Sequence, residues 1–156
     1  MAVTIRRATQ NDLDPLVDLW QEIADYHADL DPRFALAPDA RIKYREHLAR
    51  LLTDDTWRVF IAKEDNVAIG FITGTLRENP TFKQKWAGQI HDAFVTARCR
   101  RHGVGEQLVD AIRDWFRKRN VDCLELGAAV LNPIGLSFWR KMGFSDFVMR
   151  MRREIV

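Results

Sequence analysis

Two periodicities of apolar residues alternate along the chain. Val3 to Ala8 reads as a short strand, and Leu13, Leu16, Val17, Leu19, Trp20, Ile23 and Ala24 then recur at helical spacing on one broad face. Thr9 and Asn11 are capping residues ahead of that helix, and Pro15 suits its first turn. The helix is expected to stop near Leu30. Asp31-Pro32-Arg33-Phe34 breaks the pattern, and Pro38-Asp39 opens a second amphipathic helix through Ile42, Tyr44, His47, Leu48, Leu51 and Leu52. Trp57 to Lys63 alternates as a strand, Glu64-Asp65-Asn66 supplies a turn, and Val67 to Leu76 returns as a longer strand, so the three make a hairpin. A polar loop follows from Glu78 to Lys85. Ile90 to Val95 is β-branched, aromatic and short, as a buried strand should be, while Val104, Leu108, Ala111, Ile112 and Trp115 resume helical spacing. Val121 to Val130 is another strand, Asn132-Pro133 starts a short helix ending at Gly143, and Phe144 to Arg153 alternates as a closing strand.

Composition narrows what these elements build. With 156 residues and 47% apolar content, the chain is expected to form one domain, 1–156, large enough for a core of its own. Its 24 Lys and Arg against 22 Asp and Glu leave a net charge of +2, too small to argue for a nucleic-acid partner. The cations cluster locally nonetheless. Arg98, Arg100, Arg101 and His102 form one group, and Arg113, Arg117, Lys118 and Arg119 form another that reads as a solvated helix face. Cys99 and Cys123 are too few for a disulfide framework or a metal cluster, and no Cys-x-x-Cys or His-rich spacing occurs, so no metal is expected. The N-terminal residues lack the apolar run of a signal peptide, and nowhere do about eighteen apolar residues follow one another. A reduced, cytoplasmic protein without membrane partners is the expectation.

The candidate chemistry sits where the Ile90 strand meets the following helix. The turn there reads Arg100-Arg101-His102-Gly103-Val104-Gly105. Two glycines let backbone approach a bulky anion, the first N–H groups of the helix lack partners within it, and the helix dipole adds partial positive charge. Such a turn suits a phosphate or pyrophosphate; the same glycines also suit tight strand–helix packing. A dinucleotide fingerprint is excluded because position 108 is Leu where a third glycine is needed, and the Gly-Lys-Ser/Thr of a nucleotide-triphosphate loop is absent.

Arg100-x-x-Gly103-x-Gly105 resembles Gln/Arg-x-x-Gly-x-Gly/Ala, the acetyl-CoA pyrophosphate loop of the GCN5-related N-acetyltransferases, the GNAT family. Downstream, Asn132-Pro-Ile-Gly-Leu-Ser-Phe-Trp139-Arg-Lys-Met-Gly143-Phe144 is similar to that family's Asn-x-x-Ala-x-x-x-Tyr-x-x-x-Gly-Phe block. The order β-α-α-β-β-β-α-β-α-β is the one the resemblance requires. It implies an α/β (α+β) fold whose mixed, largely antiparallel twisted sheet is flanked by helices. The sheet would splay between two central parallel strands, the one ending at Val95 and the one beginning near Val121. Acetyl-CoA would lie in that opening, its pyrophosphate on the N–H groups of Arg100, Arg101, His102, Gly103, Val104, Gly105 and Glu106. The resemblance also places Asn132 and Trp139 beside the coenzyme.

Acetyl transfer to an amine requires an anchored donor, an uncharged amine, oxyanion stabilisation and a proton for the leaving thiolate. Family likeness assigns the oxyanion donor to a backbone N–H near Phe94 or Val95, worth about 3 kcal/mol of barrier. An amine of pKa about 10 needs a base, and His91, four residues before Val95, is the candidate because imidazole titrates in the useful range. Strand alternation puts His91 on the face of Gln89, Ala93 and Val95; a structural, hydrogen-bonded histidine is the competing reading. Asp92, on the other face, is the alternative base or a contact for a cationic substrate. Trp139 departs from the family's usual Tyr and cannot protonate a thiolate, while Gly135 replaces a usual Ala. Acceptor determinants are expected around the first two helices, where Tyr26, His27, Asp29, Asp31, Arg33 and Phe34 cluster. The leading function is transfer of an acetyl group by direct attack of a primary amine of a small molecule or protein. The alternative is a non-catalytic acyl-CoA-binding sensor or subunit of the same fold. A homodimer is a further expectation from family likeness.

Overall fold

The computed structural model describes residues 2–156. Five strands hydrogen-bond in chain order into one sheet: β1 (Val3–Arg7), β2 (Trp57–Glu64), β3 (Val67–Glu78), β4 (Trp86–Val95) and β5 (Leu124–Leu126). The first four run antiparallel, and β5 joins β4 in parallel. Helices α1 (Leu13–Leu30) and α2 (Ala40–Leu51) cover one face, and α3 (Val104–Arg117) covers the other. Helix α4 (Pro133–Lys141) packs at the N-terminus of α3. No helix among the described residues is long and apolar enough to cross a membrane.

Strand alternation divides the apolar residues between these layers. Val59, Ile61, Phe71 and Phe94 bury against Leu13, Leu16, Val17, Leu48 and Leu51. Ile69, Ile72 and Ile90 bury against Leu108, Ile112 and Phe116. Each fully buried side chain of this kind contributes about 1.5–3 kcal/mol, so the two-sided burial is what holds helices to sheet. Ahead of α1, Asp12 is 1% exposed, takes two hydrogen bonds from Arg6 at 2.7 and 2.8 Å, and lies 3.0 Å from Lys63 Nζ. It also accepts from the Thr9 N–H at 2.8 Å, which fixes the helix entry and holds the Asp12 carboxyl well below the ordinary carboxylate range. Arg6 is the largest cause of that shift.

The hairpin, both long amphipathic helices and α3 lie where the apolar periodicity predicts them. Strand β4 begins four residues earlier than Ile90, and β5 keeps only three of the ten residues from Val121 to Val130. The expected closing strand is absent. Residues 144–156 have no regular secondary structure, and Phe147, Val148, Met149 and Met151 are 74–84% exposed. Alternation makes a strand only when a neighbouring edge accepts its backbone, and no edge does so here. β5 is therefore an edge of the sheet rather than a central strand.

Two local features position the site. The β4–β5 ladder consists of Gly88↔Leu124, Gln89↔Glu125 and Ile90↔Leu126 and then ends, while β4 continues beside β3 to Val95. The parallel pair is thus splayed beyond Ile90, in the place expected. Second, β4 carries a bulge: Asp92 pairs with Thr73 and Ile90 with the adjacent Gly74, so His91 is an inserted residue. The bulge corrects the expected facing. His91 and Asp92 both turn to the α1/α2 side, whereas Ala93 and Val95 pack toward α3 with the opposite core layer.

Candidate active site

The opening between β4 and β5 continues into a cleft of about 1300 Å³ bounded by α1, the start of α3, and α4. The coenzyme end is the Arg100 turn. Gly103 has φ +80°, a left-handed conformation that glycine adopts without strain, and an added Cβ would meet nothing within 4 Å. Gly105 is small for a different reason, since a Cβ there would lie 3.1 Å from the ring of Phe138 on α4. One glycine therefore serves the left-handed turn and the other serves packing against α4. The first hydrogen bond of α3 runs from Gln107 N–H to the Gly103 carbonyl. The N–H groups of Val104, Gly105 and Glu106 have no acceptor within the helix and face the open end of its dipole. That is a fit for a pyrophosphate in backbone terms.

Side chains of the turn are arranged less simply. Arg100 donates through Nε to the Val95 carbonyl at 2.9 Å, and its guanidinium lies 5.4 Å from the Phe94 ring and 5.9 Å from the Tyr26 ring. It ties the turn to the end of β4 and to α1. Arg101 has φ +65° and is exposed at the cleft. The Val104 side chain is buried in the α3 core layer, so only its backbone faces a ligand, and His102 is exposed away from the cleft lining. Glu106 meets Lys141 of α4 at 2.8 Å.

At the far wall, Asn132 caps α4 by accepting from the Gly135 N–H at 3.0 Å and also accepts from the Tyr26 hydroxyl at 3.2 Å. Tyr26 and Asn132 thereby bridge α1 and α4 across the cleft. Trp139 stands edge-on to Phe138 at 4.9 Å and to Phe144 at 5.4 Å, with its indole on the lining. No hydroxyl is offered at that position.

His91 and Asp92 belong to a cluster whose other members the sequence did not single out. The His91 ring lies 4.7 Å from Trp57, which is edge-on to His47 at 5.9 Å. Asp92 accepts from the Tyr44 hydroxyl at 3.1 Å, and its backbone N–H donates to the Thr73 hydroxyl at 3.1 Å. Tyr44 stacks on Trp20 with 4.1 Å between ring centres, which fixes its hydroxyl on the carboxylate. Burial pushes the Asp92 carboxyl upward against the opposing bond from Tyr44, and it pushes His91 below the usual imidazole value against the opposing charge of Asp92. Tyr44 is raised far beyond an ordinary phenol, first by burial and then by Asp92, so it stays protonated as a donor. An imidazole beside a half-buried carboxylate is an arrangement that can take a proton near neutrality. Tyr44 and His47 were signalled only by their one-turn spacing on the second helix.

Of the residues expected to meet the acceptor, Tyr26, His27, Asp31, Arg33 and Phe34 line the cleft, and Asp29 does not. His27 and Phe34 rings lie 5.7 Å apart, and burial lowers the His27 pKa. Asp31 is engaged differently: it accepts from Arg33 N–H at 2.9 Å and pairs with the Arg33 guanidinium at 2.6 Å, which holds its pKa down at about 2. Its charge is already matched within the turn. No cluster of His, Cys, Asp and Glu able to hold a metal occurs among the described residues.

Known proteins share both the sequence pattern and the architecture. The acetyltransferase (GNAT) family model matches residues 17–144. An uncharacterized N-acetyltransferase of Archaeoglobus fulgidus is 30% identical over 122 residues, covering 78% of this chain and 79% of that protein. Among solved structures, a Bacillus halodurans protein superposes with a TM-score of 0.88 at 18% identity, over 97% of this chain and 99% of that one. The aminoglycoside N-acetyltransferase AAC(6')-Iy, in complex with a bisubstrate analog of CoA and acetylneamine, superposes at 0.75 with 23% identity over 99% and 100% of the two chains. At such identities the structural likeness shows the fold, while the family match over most of the chain shows descent. The chain belongs to the GCN5-related N-acetyltransferase family.

Proposed function

We propose that residues 1–156 act as one acetyl-CoA-dependent N-acetyltransferase domain that moves an acetyl group to a primary amine by direct attack. The observation that carries this reading is the single cleft joining the Arg100–Glu106 backbone, at the parting of β4 and β5, to His91 and Asp92. Acetyl-CoA, when bound, supplies an acyl group activated as a thioester. Val104, Gly105 and Glu106 N–H groups hold its pyrophosphate, and the open edge of β4 beyond Ile90 is free to bond the pantetheine arm. A backbone N–H near Phe94 or Val95 would stabilise charge developing on the acyl oxygen as the C–N bond forms; the C–S bond then breaks, and the coenzyme A thiolate leaves and takes its proton from water, since Trp139 offers none.

His91 accepts the proton of the incoming ammonium, directly or through water, at its unprotonated ring nitrogen. Asp92 opposes the burial penalty on the resulting imidazolium; the Tyr44 hydroxyl at 3.1 Å and the Thr73 hydroxyl at 3.5 Å donate to that carboxylate and orient it. The aromatic side chains of Trp20, Tyr26, His27 and Phe34 on the cleft lining suit an acceptor that presents an amine on a partly apolar or planar frame. The aminoglycoside-acetylating neighbour is consistent with a small polar amine as acceptor.

Trp139 favours one second reading, an acyl-CoA-binding protein that does not turn over, because no phenol stands where the family uses one. Titration calorimetry with acetyl-CoA, followed by thiol-release assays over polyamines, aminoglycosides, amino acids and peptide N-termini, separates the two. Micromolar binding with amine-dependent thiol release is the expected result. Binding without release from any amine supports the sensor reading. Absence of binding at millimolar acetyl-CoA overturns both.

A further inference from the structure

The second basic cluster of the sequence, Arg113, Arg117, Lys118 and Arg119, does not behave as one solvated helix face. Arg113 pairs with Asp110 at 3.1 Å, and Arg117 pairs with Asp114 at 2.5 Å. Arg119, just beyond the C-terminus of α3, instead holds its guanidinium 4.3 Å from the ring centre of Trp115. A second guanidinium, that of Arg58 on β2, lies 5.2 Å from the same ring. Arg58 stands opposite Gly74, where an added Cβ would meet Phe116 and Ile112, so it shares the α3 face of the sheet. Arg7 is opposite Phe60 on that face and diagonal to Arg58, within reach of a long side chain. Arginines from β1, β2 and the end of α3 are thus gathered beside one indole.

Their charges are unmatched. Neither Arg7, Arg58 nor Arg119 has a carboxylate within ion-pair distance among the described residues. Arg58 Nε and Trp115 Nε1 are buried without a hydrogen-bond partner among those residues, and Trp115 is only 7% exposed. Donors left in this way oppose folding, the more so when one is charged. Neighbouring groups do not relieve the cost: burial lowers the Arg58 pKa first, the charges of Arg7 and Arg119 lower it further, and Asp55 opposes them least. The dipole of α3 accounts for Arg119 alone, since its C-terminal carbonyls attract a cation but Arg7 and Arg58 come from the sheet. Every unmatched group is a donor and the local charge is positive, so the matching ligand must be an anion that accepts on several sides. A phosphate dianion meets both conditions, whereas a carboxylate brings one charge and two oxygens to three guanidiniums and an indole N–H.

We infer that Arg7, Arg58 and Arg119, with the indole N–H of Trp115, form a phosphate-binding site separate from the coenzyme cleft. None of the four residues lines that cleft. The Arg100 turn opens the other end of α3, and 14 residues at 1.5 Å each put about 20 Å between the two places. Trp115 packs in the core layer with Ile112 and Phe116, its ring centre 4.8 Å from that of Phe116, so its indole is a fixed donor. Arg7 and Arg119 are exposed and free to close on an ion. The ligand is inorganic phosphate or the phosphate group of an ester. The site stands on these side chains alone and is independent of the acetyl-transfer reading.

Proton–nitrogen correlation NMR of the full chain reads the site directly, because each tryptophan gives one indole N–H signal and Trp115→Phe identifies that of Trp115. Inorganic phosphate is expected to move the Trp115 signal saturably, while the signal of Trp139, on the cleft lining, reports separately on any phosphate at the Arg100 turn. Arg58→Gln with Arg119→Gln should raise the phosphate Kd about tenfold or more. Arg7→Gln, which removes an exposed side chain and no contact with the ring, should also weaken binding while the remaining indole signals keep their wild-type positions. Potassium chloride at equal ionic strength should leave the Trp115 signal in place. Glycerol phosphate separates the two sources: binding as tight as that of inorganic phosphate assigns the site to esters, and binding of inorganic phosphate alone assigns it to the free ion. A Trp115 signal unmoved at tens of millimolar phosphate overturns the inference, as does a shift that chloride reproduces. A saturable shift of undiminished affinity in folded Arg7→Gln and in the double variant overturns it too, because the phosphate would then be held by other groups.

Discussion

Tyr44→Phe removes one hydroxyl from the interior of the candidate site and leaves the ring stacked on Trp20. The lost bond is the 3.1 Å donation to Asp92, which leaves the carboxylate the longer, 3.5 Å donation of the Thr73 hydroxyl. A hydrogen bond to a charged group contributes about 1.5–3 kcal/mol, and 1.36 kcal/mol is one pKa unit, so the Asp92 carboxyl should rise by roughly one to two units further. His91 responds in the opposite sense. The negative charge of Asp92 raises its pKa, and a carboxyl that is more often neutral gives less of that support. The assay is the pH dependence of kcat/KM, whose acidic limb reports the base of the free enzyme. With His91 as base, the limb of the wild type lies below the ordinary imidazole value of about 6.5, and Tyr44→Phe holds it or moves it lower. An acidic limb that climbs by one to two units in the variant would refute the assignment and give the proton-accepting role to Asp92.

His91→Ala should lower kcat/KM about a hundredfold and flatten the acidic limb, with acetyl-CoA affinity by calorimetry unchanged. Gly103→Val meets open space, so its cost to folding is the left-handed backbone alone, about 1–2 kcal/mol, while its side chain obstructs the pyrophosphate; acetyl-CoA Kd should rise at least about tenfold. Asp12→Asn should destabilise the fold by about 2 kcal/mol at pH 7 in urea unfolding, less than the roughly 3–5 kcal/mol of a fully buried pair because the Arg6 side chain is 45% exposed. Since the folded Asp12 pKa is depressed, that stabilisation is present above the unfolded value of about 4 and is lost as pH falls below it. The gap between wild type and variant should therefore close in acid.

Much of this architecture is legible in the order of apolar residues because burial is two-sided. Leu16, Leu48 and Ile112 must find an interior, and their spacing states which face does so. The turn at Arg100–Gly105 was legible because glycine at a strand–helix junction has few uses, two of which the structure realises at Gly103 and Gly105. The closing strand is absent for the reverse reason: Phe147 to Met151 has strand alternation, but pairing is a property of two segments, and no edge of this sheet takes up the second place. The grouping of His91 with Asp92 was hidden by a single inserted residue, which alternation arithmetic cannot detect. Tyr44 and Thr73, which hold Asp92, come from distant parts of the sequence, and only tertiary packing brings their hydroxyls to one carboxylate.

The insertion at His91 has a further meaning for how this chemistry is carried. Ile90 and Asp92 already alternate correctly against Gly74 and Thr73, so the ladder on either side is what an uninterrupted strand would make with His91 left out. The imidazole is an addition to the framework and displaces none of its core positions. If His91 is the proton acceptor proposed above, activity and foldability are separable at this point: a chain lacking His91 keeps every apolar residue of β4 in phase with the sheet beneath it.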